Sequence, residues 1–193
     1  MKYRLRIIIA LLFVCLVSVA GGRVPVYAET VRVVHVDGDI NAANTALVKR
    51  SLADAEAQGD AALIVTLDSS GGSREQAVKI SDLLTGSAVP TIAYVSPRAR
   101  SVAALIALSC RHIVMAPGGS IGATDTEPAK DTEELKGKFS QVATMTGKNP
   151  RLIEAMTDKS LGYSNYAEPG QLLTLSDTQA KAVNLSDGTA DSI

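Results

Sequence analysis

The sequence predicts an α/β fold with a largely parallel sheet covered by helices. Short β-branched or continuously apolar runs alternate with stretches of helical period, and Gly, Asp, Ser and Pro punctuate the junctions, as expected of successive βαβ units. The composition agrees: aromatic residues make up 4% with no Trp, and the small and branched aliphatic residues that suit thin, closely packed layers are abundant. With 193 residues, 46% of them hydrophobic, the chain can close one substantial core.

Val31 to Val36 is a β-branched run closed by Asp37-Gly38-Asp39, a first strand. Asn41 or Asn44 is placed to cap the next helix, in which Val48, Leu52 and Ala55 recur at i, i+4 and i+7 and which Gly59 ends. Residues 61–67 form the apolar run of a strand buried on both faces. After Asp68-Ser69-Ser70-Gly71-Gly72, Ser73 and Gln76 read as a capping box for a helix that buries Ala77, Ile80 and Leu84. Residues 89–95 predict a third strand, Ser101 opens the next helix, and Ile113-Val114-Met115 is a short strand closed by Ala116-Pro117-Gly118-Gly119. Beyond it, Leu135, Phe139 and Val142 keep a helical period, Asn149-Pro150 supplies an N-cap and first-turn proline for a helix carrying Ile153 and Met156, and Ser176 with Gln179 caps a last short helix. Residues 124–134 are the longest stretch without periodicity, and long irregular segments in compact domains are often functional.

The N-terminus carries the basic residues of MKYRLR, an apolar stretch short for a membrane span, and the small residues of a cleavage site at Val26-Tyr27-Ala28. Residues 1–28 therefore read as a signal peptide, with an uncleaved anchor as the alternative, and residues 29–193 as one exported, periplasmic or extracytoplasmic domain. Cys15 falls within the leader and leaves Cys110, at the end of an apolar run, as a buried core thiol with no disulfide partner. Lys plus Arg (19) nearly balance Asp plus Glu (20), so charge gives no reason to expect nucleic acid or an anionic membrane as a partner.

Three features bear on chemistry. A diglycine after a buried strand leaves backbone N–H groups free to stabilise an oxyanion, a serine stands at a strand-to-helix junction, and lysines follow in the polar segment. A serine hydroxyl needs a base within reach. His35 lies inside the first strand and His112 a helix length beyond Ser101, so neither is well placed, and a lysine kept neutral by burial is the alternative. Taken singly, the diglycine also reads as a plain turn, Ser101 as a helix N-cap and the lysines as solvated side chains.

In combination with their order along the chain, these stretches resemble the protease domain of the NfeD class of membrane-associated serine proteases, relatives of ClpP and signal peptide peptidase A. VDGDI, LDSSGG in place of the family's LDTPGG, SVAALIAL in place of SAGALIAL, HIVMAPGGSIGAT, TGKNPRLIEAM and the closing GQLLTLSDTQAKAVNLSDGTADSI occur in sequence over about residues 31 to 193. The resemblance implies the ClpP/crotonase type of fold, a spiral of βαβ units, and a Ser-Lys dyad. It places the nucleophile at Ser101, the base at Lys130 with Lys136 and Lys138 as fallbacks, and the oxyanion donors at the amides of Gly71, Gly72 and Val102. It implies no metal or cofactor, cleavage of hydrophobic segments, stomatin-like membrane proteins as partners, and self-association as a dimer. Ala103 for glycine and Ser70 for proline depart from the family pattern and support a second reading, an inactive peptide-binding or scaffold protein. Acyl-CoA chemistry of the crotonase kind is a third, disfavoured by the export signal.

Overall fold

The computed structural model describes residues 29–124 and 132–193; the leader and Lys130 lie outside them. The chain runs β1 (Val31–Asp37), α1 (Ala42–Gln58), β2 (Ala62–Ser69), α2 (Arg74–Thr85), β3 (Thr91–Arg100), α3 (Val102–Ser109), β4 (His112–Met115), β5 (Ser120–Gly122), α4 (Thr132–Met145), α5 (Pro150–Thr157), β6 (Thr174–Ser176), α6 (Asp177–Ala182) and β7 (Gly188–Thr189). The main sheet has the order β1-β2-β3-β4-β7 with parallel pairing throughout, and β5 extends it beside the end of β3 while pairing antiparallel with β6. The expected parallel α/β architecture is thus present.

Periodicity explains the packing. Alternate residues Val34 and Val36 of β1, Leu63, Val65 and Leu67 of β2, and Ala93 and Val95 of β3 turn to one face of the sheet and are buried there with the inner positions of α1 (Val48, Leu52, Ala55) and α2 (Ala77, Ile80, Leu84). Helix α3 is apolar all round and all eight of its residues are buried, as a helix enclosed on every side requires. Ser109 bonds Ser81 across the α2–α3 contact at 2.7 Å and the Leu105 carbonyl at 2.7 Å, so the polar atoms of this interior are satisfied.

Two expectations need correction. The third strand does not stop at Val95 but continues to Arg100. Pro97 looks like a terminator because it donates nothing to a ladder, yet it sits in a bulge where four residues of β3 (from Val95 to Ala99) advance against two of β2 (from Leu67 to Ser69). The capping box of α2 is half formed: Ser73 accepts from the Gln76 N–H, but the Gln76 side chain accepts instead from Thr45 of α1 at 2.9 Å. By contrast Asn41 caps α1, Asn149 caps α5 with Pro150 behind it, and Ser176 forms the full box with Gln179.

The far end of α3 is fastened by a cation. Lys148 donates from Nζ to the Cys110 carbonyl at 2.8 Å, which places positive charge where a helix presents unpaired carbonyls. Burial pulls the Lys148 ammonium down to about 8, and burial pushes the Cys110 thiol up to about 12. A lysine whose folded-state value is depressed loses its proton from the native state first, so its contribution raises stability as pH climbs from about 8 towards 10.5. The thiol acts oppositely: the unfolded chain ionises from its ordinary value of 9.0 while the native thiol stays protonated to about 12. Urea unfolding at stepped pH is expected to show a rise between pH 8 and 9, a near-cancellation up to 10.5, and a fall above it. Relative to the unmodified chain, Lys148→Met is expected to lose the rise and Cys110→Ala the fall.

Candidate active site

The C-terminal ends of β2 and β3 bring two backbone singularities together. The turn after β2 contains Gly71 and Gly72 with φ of 133° and 138°, a region closed to L side chains. Gly72 forms a parallel bridge with Ile40: the Ile40 N–H donates to the Gly71 carbonyl and the Ser73 N–H to the Ile40 carbonyl, both at 2.8 Å. That pattern leaves the N–H of Gly72 itself pointing away from Ile40. A Cβ on Gly72 would lie 2.3 Å from the Ile40 nitrogen. On Gly71 it would lie 3.0 Å from Ser101 Cβ and 3.2 Å from Ser101 Oγ, so the turn and the serine are in contact.

Ser101 is the second singularity. It joins β3 to α3 with φ 55° and ψ −134°, a conformation that costs a non-glycine residue about 1–3 kcal/mol and persists only where its surroundings impose it. Those surroundings are visible. The Ser101 N–H donates to the Gly122 carbonyl of β5 at 3.2 Å, and its carbonyl accepts from Thr124 Oγ1 at 3.1 Å and from the Ala104 N–H at 3.0 Å. Thr124 is fully buried and its own N–H is bonded to Met156 of α5.

This geometry bears directly on the helix-cap alternative. Asn41, Ser73, Asn149 and Ser176 all adopt extended backbone and accept a helix N–H with their side chains. Ser101 does neither; it makes no side-chain cap bond, and its hydroxyl is turned towards the glycine turn. A strained serine at the tip of a strand, followed at once by a helix, is the arrangement by which α/β hydrolases expose a nucleophile. Val102 opens α3, where the first amides have no intrahelical acceptor. The Gly71 N–H is bonded to Ser69 Oγ at 3.2 Å, and the same oxygen donates to the Gly71 carbonyl at 3.1 Å. Ser69, fully enclosed, therefore braces the turn in which Ser70 stands for the family's proline. Ala103 is fully buried in the core.

Sheet register disposes of the histidines. His35 pairs with Thr66, which lies level with Tyr94, seven residues before Ser101. His112 pairs with Ile92 at the opposite end of β3, nine residues away, roughly 25–30 Å along a strand. Their polar contacts are local: His35 Nδ1 shares a hydrogen bond with Thr66 Oγ1, and His112 Nδ1 lies 3.3 Å from Asp187 Oδ2. Lys136 and Lys138 lie on α4. Lys136 is bonded to Asp158 at 2.9 Å, and that hydrogen bond raises its pKa, the wrong direction for a neutral base. Lys138 is tied to Asp82 of α2 and to Gln141. Lys130 belongs to the segment that leaves Thr124, the residue hydrogen-bonded to Ser101, and re-enters at α4. Among the described residues no cluster of His, Cys, Asp and Glu is arranged to hold a metal ion.

A family profile described as "NfeD1b, N-terminal domain" matches residues 30–193. The chain belongs to the NfeD1b N-terminal domain family. It is 33% identical over 194 residues to "Membrane protein NfeD1b" of Bacillus subtilis (strain 168), covering 95% of this chain and 44% of that protein. To "Membrane-bound protease PH1510" of Pyrococcus horikoshii it is 29% identical over 153 residues, covering 71% of this chain and 35% of that protein. The chain thus spans less than half the length of the curated relatives it matches.

Among solved structures it resembles a serine-to-alanine variant of the 1510-N membrane-bound stomatin-specific protease, at a TM-score of 0.76 and 25% identity over 87% of this chain and 83% of that one. A lysine-to-alanine variant of the same protease, in complex with a substrate peptide, gives 0.75 and 25% over 87% and 78%. ClpP1 from Listeria monocytogenes, at 0.66 and 17% identity over 84% and 92%, shares the fold. The ClpP-type architecture expected from the sequence is therefore the one present.

Both glycines hold a φ closed to alanine, and they differ in what an added methyl meets. Gly72→Ala is expected to cost more than about 2 kcal/mol of stability, read from the urea midpoint, because its methyl meets backbone that cannot yield. Gly71→Ala carries the same backbone strain at φ 133°, so it too is expected to lower the urea midpoint, and because its methyl meets the serine side chain the folded variant is expected to show ~10²-fold slower labelling of Ser101 by a fluorophosphonate than the unmodified chain.

Proposed function

We propose that the chain is a membrane-associated serine endopeptidase that cuts hydrophobic segments of stomatin-like proteins with a Ser101–Lys130 dyad. The observation that carries this reading is the strained, uncapped Ser101 in contact with the Gly71-Gly72 turn. Support comes from the relatives: one is named a membrane-bound protease, and its N-terminal domain, called stomatin-specific, is known in serine-to-alanine and lysine-to-alanine forms, the latter with a substrate peptide.

In this mechanism Lys130 Nζ, neutral, takes the proton from Ser101 Oγ as the oxygen bonds to the scissile carbonyl carbon. The carbonyl oxygen becomes an oxyanion facing the amides of Gly72 and Val102, with Gly71 held by Ser69 as the brace of the turn. Collapse breaks the C–N bond, the lysine returns its proton to the departing amine, and water releases the acyl group by the same steps. Residues 1–28, read as an export leader, place this chemistry outside the cytoplasm.

A cleft of about 580 Å³ between α2 and α4 supports the choice of hydrophobic substrates. Its floor is Val78 and Leu135, and its rim includes Arg74, Glu75, Lys79 and Glu134. It opens where α2 leaves the Gly71-Gly72 turn and α4 leaves the segment bearing Lys130. An apolar side chain on one flank of the scissile bond fits there, its burial contributing about 1.5–3 kcal/mol for a residue the size of leucine.

Cleavage of an internally quenched hydrophobic peptide is expected to fall at least ~10³-fold in Ser101→Ala and ~10²–10⁴-fold in Lys130→Ala. In the unmodified chain the rate is expected to rise between about pH 6 and pH 10 as the base loses its proton. Full activity in Lys130→Ala would remove that lysine from the mechanism, and peptide binding without any cleavage would make the chain a binding protein.

A further inference from the structure

A second cleft opens beside the glycine turn, next to Ser70, and its charge is different. It holds about 230 Å³ and is lined by Ser70, Pro97, Arg98, Arg100, Gly118 and Ser120. Arg98 and Arg100 stand at i and i+2 of β3, so both side chains leave the same face of the strand, opposite the buried Ala99. Pairing of Arg98 with Ser120 and Arg100 with Gly122 on one side, and of Ala99 with Ser69 on the other, fixes that ridge next to the turn. Arg98 is bonded to Asp68 at 3.1 Å, whereas Arg100 is exposed and has no ion-pair partner among the described residues.

We propose that this cleft binds a carboxylate side chain of the polypeptide passing Ser101, so that the substrate carries an acidic residue on one flank of the scissile bond and an apolar one on the other. The inference rests on the peptidase reading for its substrate, but the cleft's chemistry is independent of it. A guanidinium offers paired donors in the geometry a carboxylate accepts, and the Ser70 and Ser120 hydroxyls add donors beside it. Among the described residues no acidic residue lines the cleft, although Asp68 is bonded to Arg98 beside it, which leaves Arg100 as the uncompensated charge.

Its position ties it to the substrate path. Ser70 adjoins Gly71 and Arg100 adjoins Ser101, and a Cβ on Gly71 would lie 3.2 Å from Ser101 Oγ. An extended peptide advances about 3.3 Å per residue, so a side chain within roughly two or three residues of the reacting carbonyl reaches the arginines. The α2–α4 cleft begins at Arg74, which follows the turn in the chain as Ser70 precedes it, so a peptide crossing the turn meets unlike surfaces on its two flanks.

The test uses quenched peptides with one apolar core and a mapped cleavage point, differing only by Glu or Gln two or three residues from that point, with pairs made for each flank. For one flank, kcat/KM on the Glu peptide is expected to be about 3- to 10-fold higher than on its Gln partner. The ratio is expected to fall to near one in Arg100→Gln, to survive partly in Arg100→Lys, and to shrink at about 0.5 M salt. In parallel, anisotropy of the labelled peptides with the full-length Ser101→Ala chain reads binding without chemistry. Glu preference in binding that depends on Arg100, with no cleavage of any peptide, would uphold the cleft and sink the peptidase reading. Equal handling of Glu and Gln on both flanks, in cleavage and in binding, or no binding of either, overturns the cleft while leaving the peptidase reading to its own test. Capture of phosphatidylglycerol vesicles that requires Arg98 and Arg100, without any Glu preference, also overturns it and assigns the ridge to a membrane surface.

Discussion

The contact between the backbones of Gly72 and Ile40 governs the geometry around Ser101. With no side chain between them, the turn after β2 is drawn onto the end of β1 and held by two hydrogen bonds of 2.8 Å. That approach sets where Gly71 lies, and Gly71 in turn lies against the serine. A bulkier residue at either position forces β1 and β2 apart or the serine away. The distance between hydroxyl and candidate oxyanion donors is therefore fixed by main chain, which has far less freedom than side chains to drift.

The strain at Ser101 is offset by its environment. Three hydrogen bonds reach its two backbone groups from β5, from Thr124 and from the first turn of α3, and α3 itself is wholly enclosed by apolar neighbours. A helix of eight residues is too short to be stable alone, so its stability comes from burial. The same burial prevents the serine from relaxing into a cap, because doing so would require moving a helix that the core holds on every side. Lys148 at the other end adds a polar tether to the turn between α4 and α5.

Much of this was legible in the sequence because it follows from period and from caps. The apolar alternation of β1, the i, i+4, i+7 spacing of Val48, Leu52 and Ala55, and the Asn149-Pro150 pair are local signals, and local signals suffice for elements of that length. What was hidden is tertiary. Pro97 reads as a strand end unless a neighbouring strand is known to tolerate a bulge, and Gln76 leaves its capping box only because Thr45 is folded against it. The short strands β5, β6 and β7 have two or three residues each and no periodicity to detect. At the site, the diglycine and the serine were visible, but strain was not: a serine before an apolar run looks like a cap, and its φ of 55° and missing cap bond set it apart. The brace provided by Ser69 was likewise invisible, since Asp68-Ser69-Ser70 carries no mark of which serine turns inward.

Cys110 closes the hydrophobic helix that begins at Ser101, and it is the one free cysteine of the described residues, with no exposed surface. A thiol held neutral and out of reach does not exchange with disulfides while the chain stays folded. Its reaction with a thiol reagent thus proceeds only when α3 leaves its seat, and the rate of that reaction is a clock for opening of the body of the domain rather than of its surface loops. The same helix that displays the serine at one end carries at the other a built-in reporter of whether that display is intact.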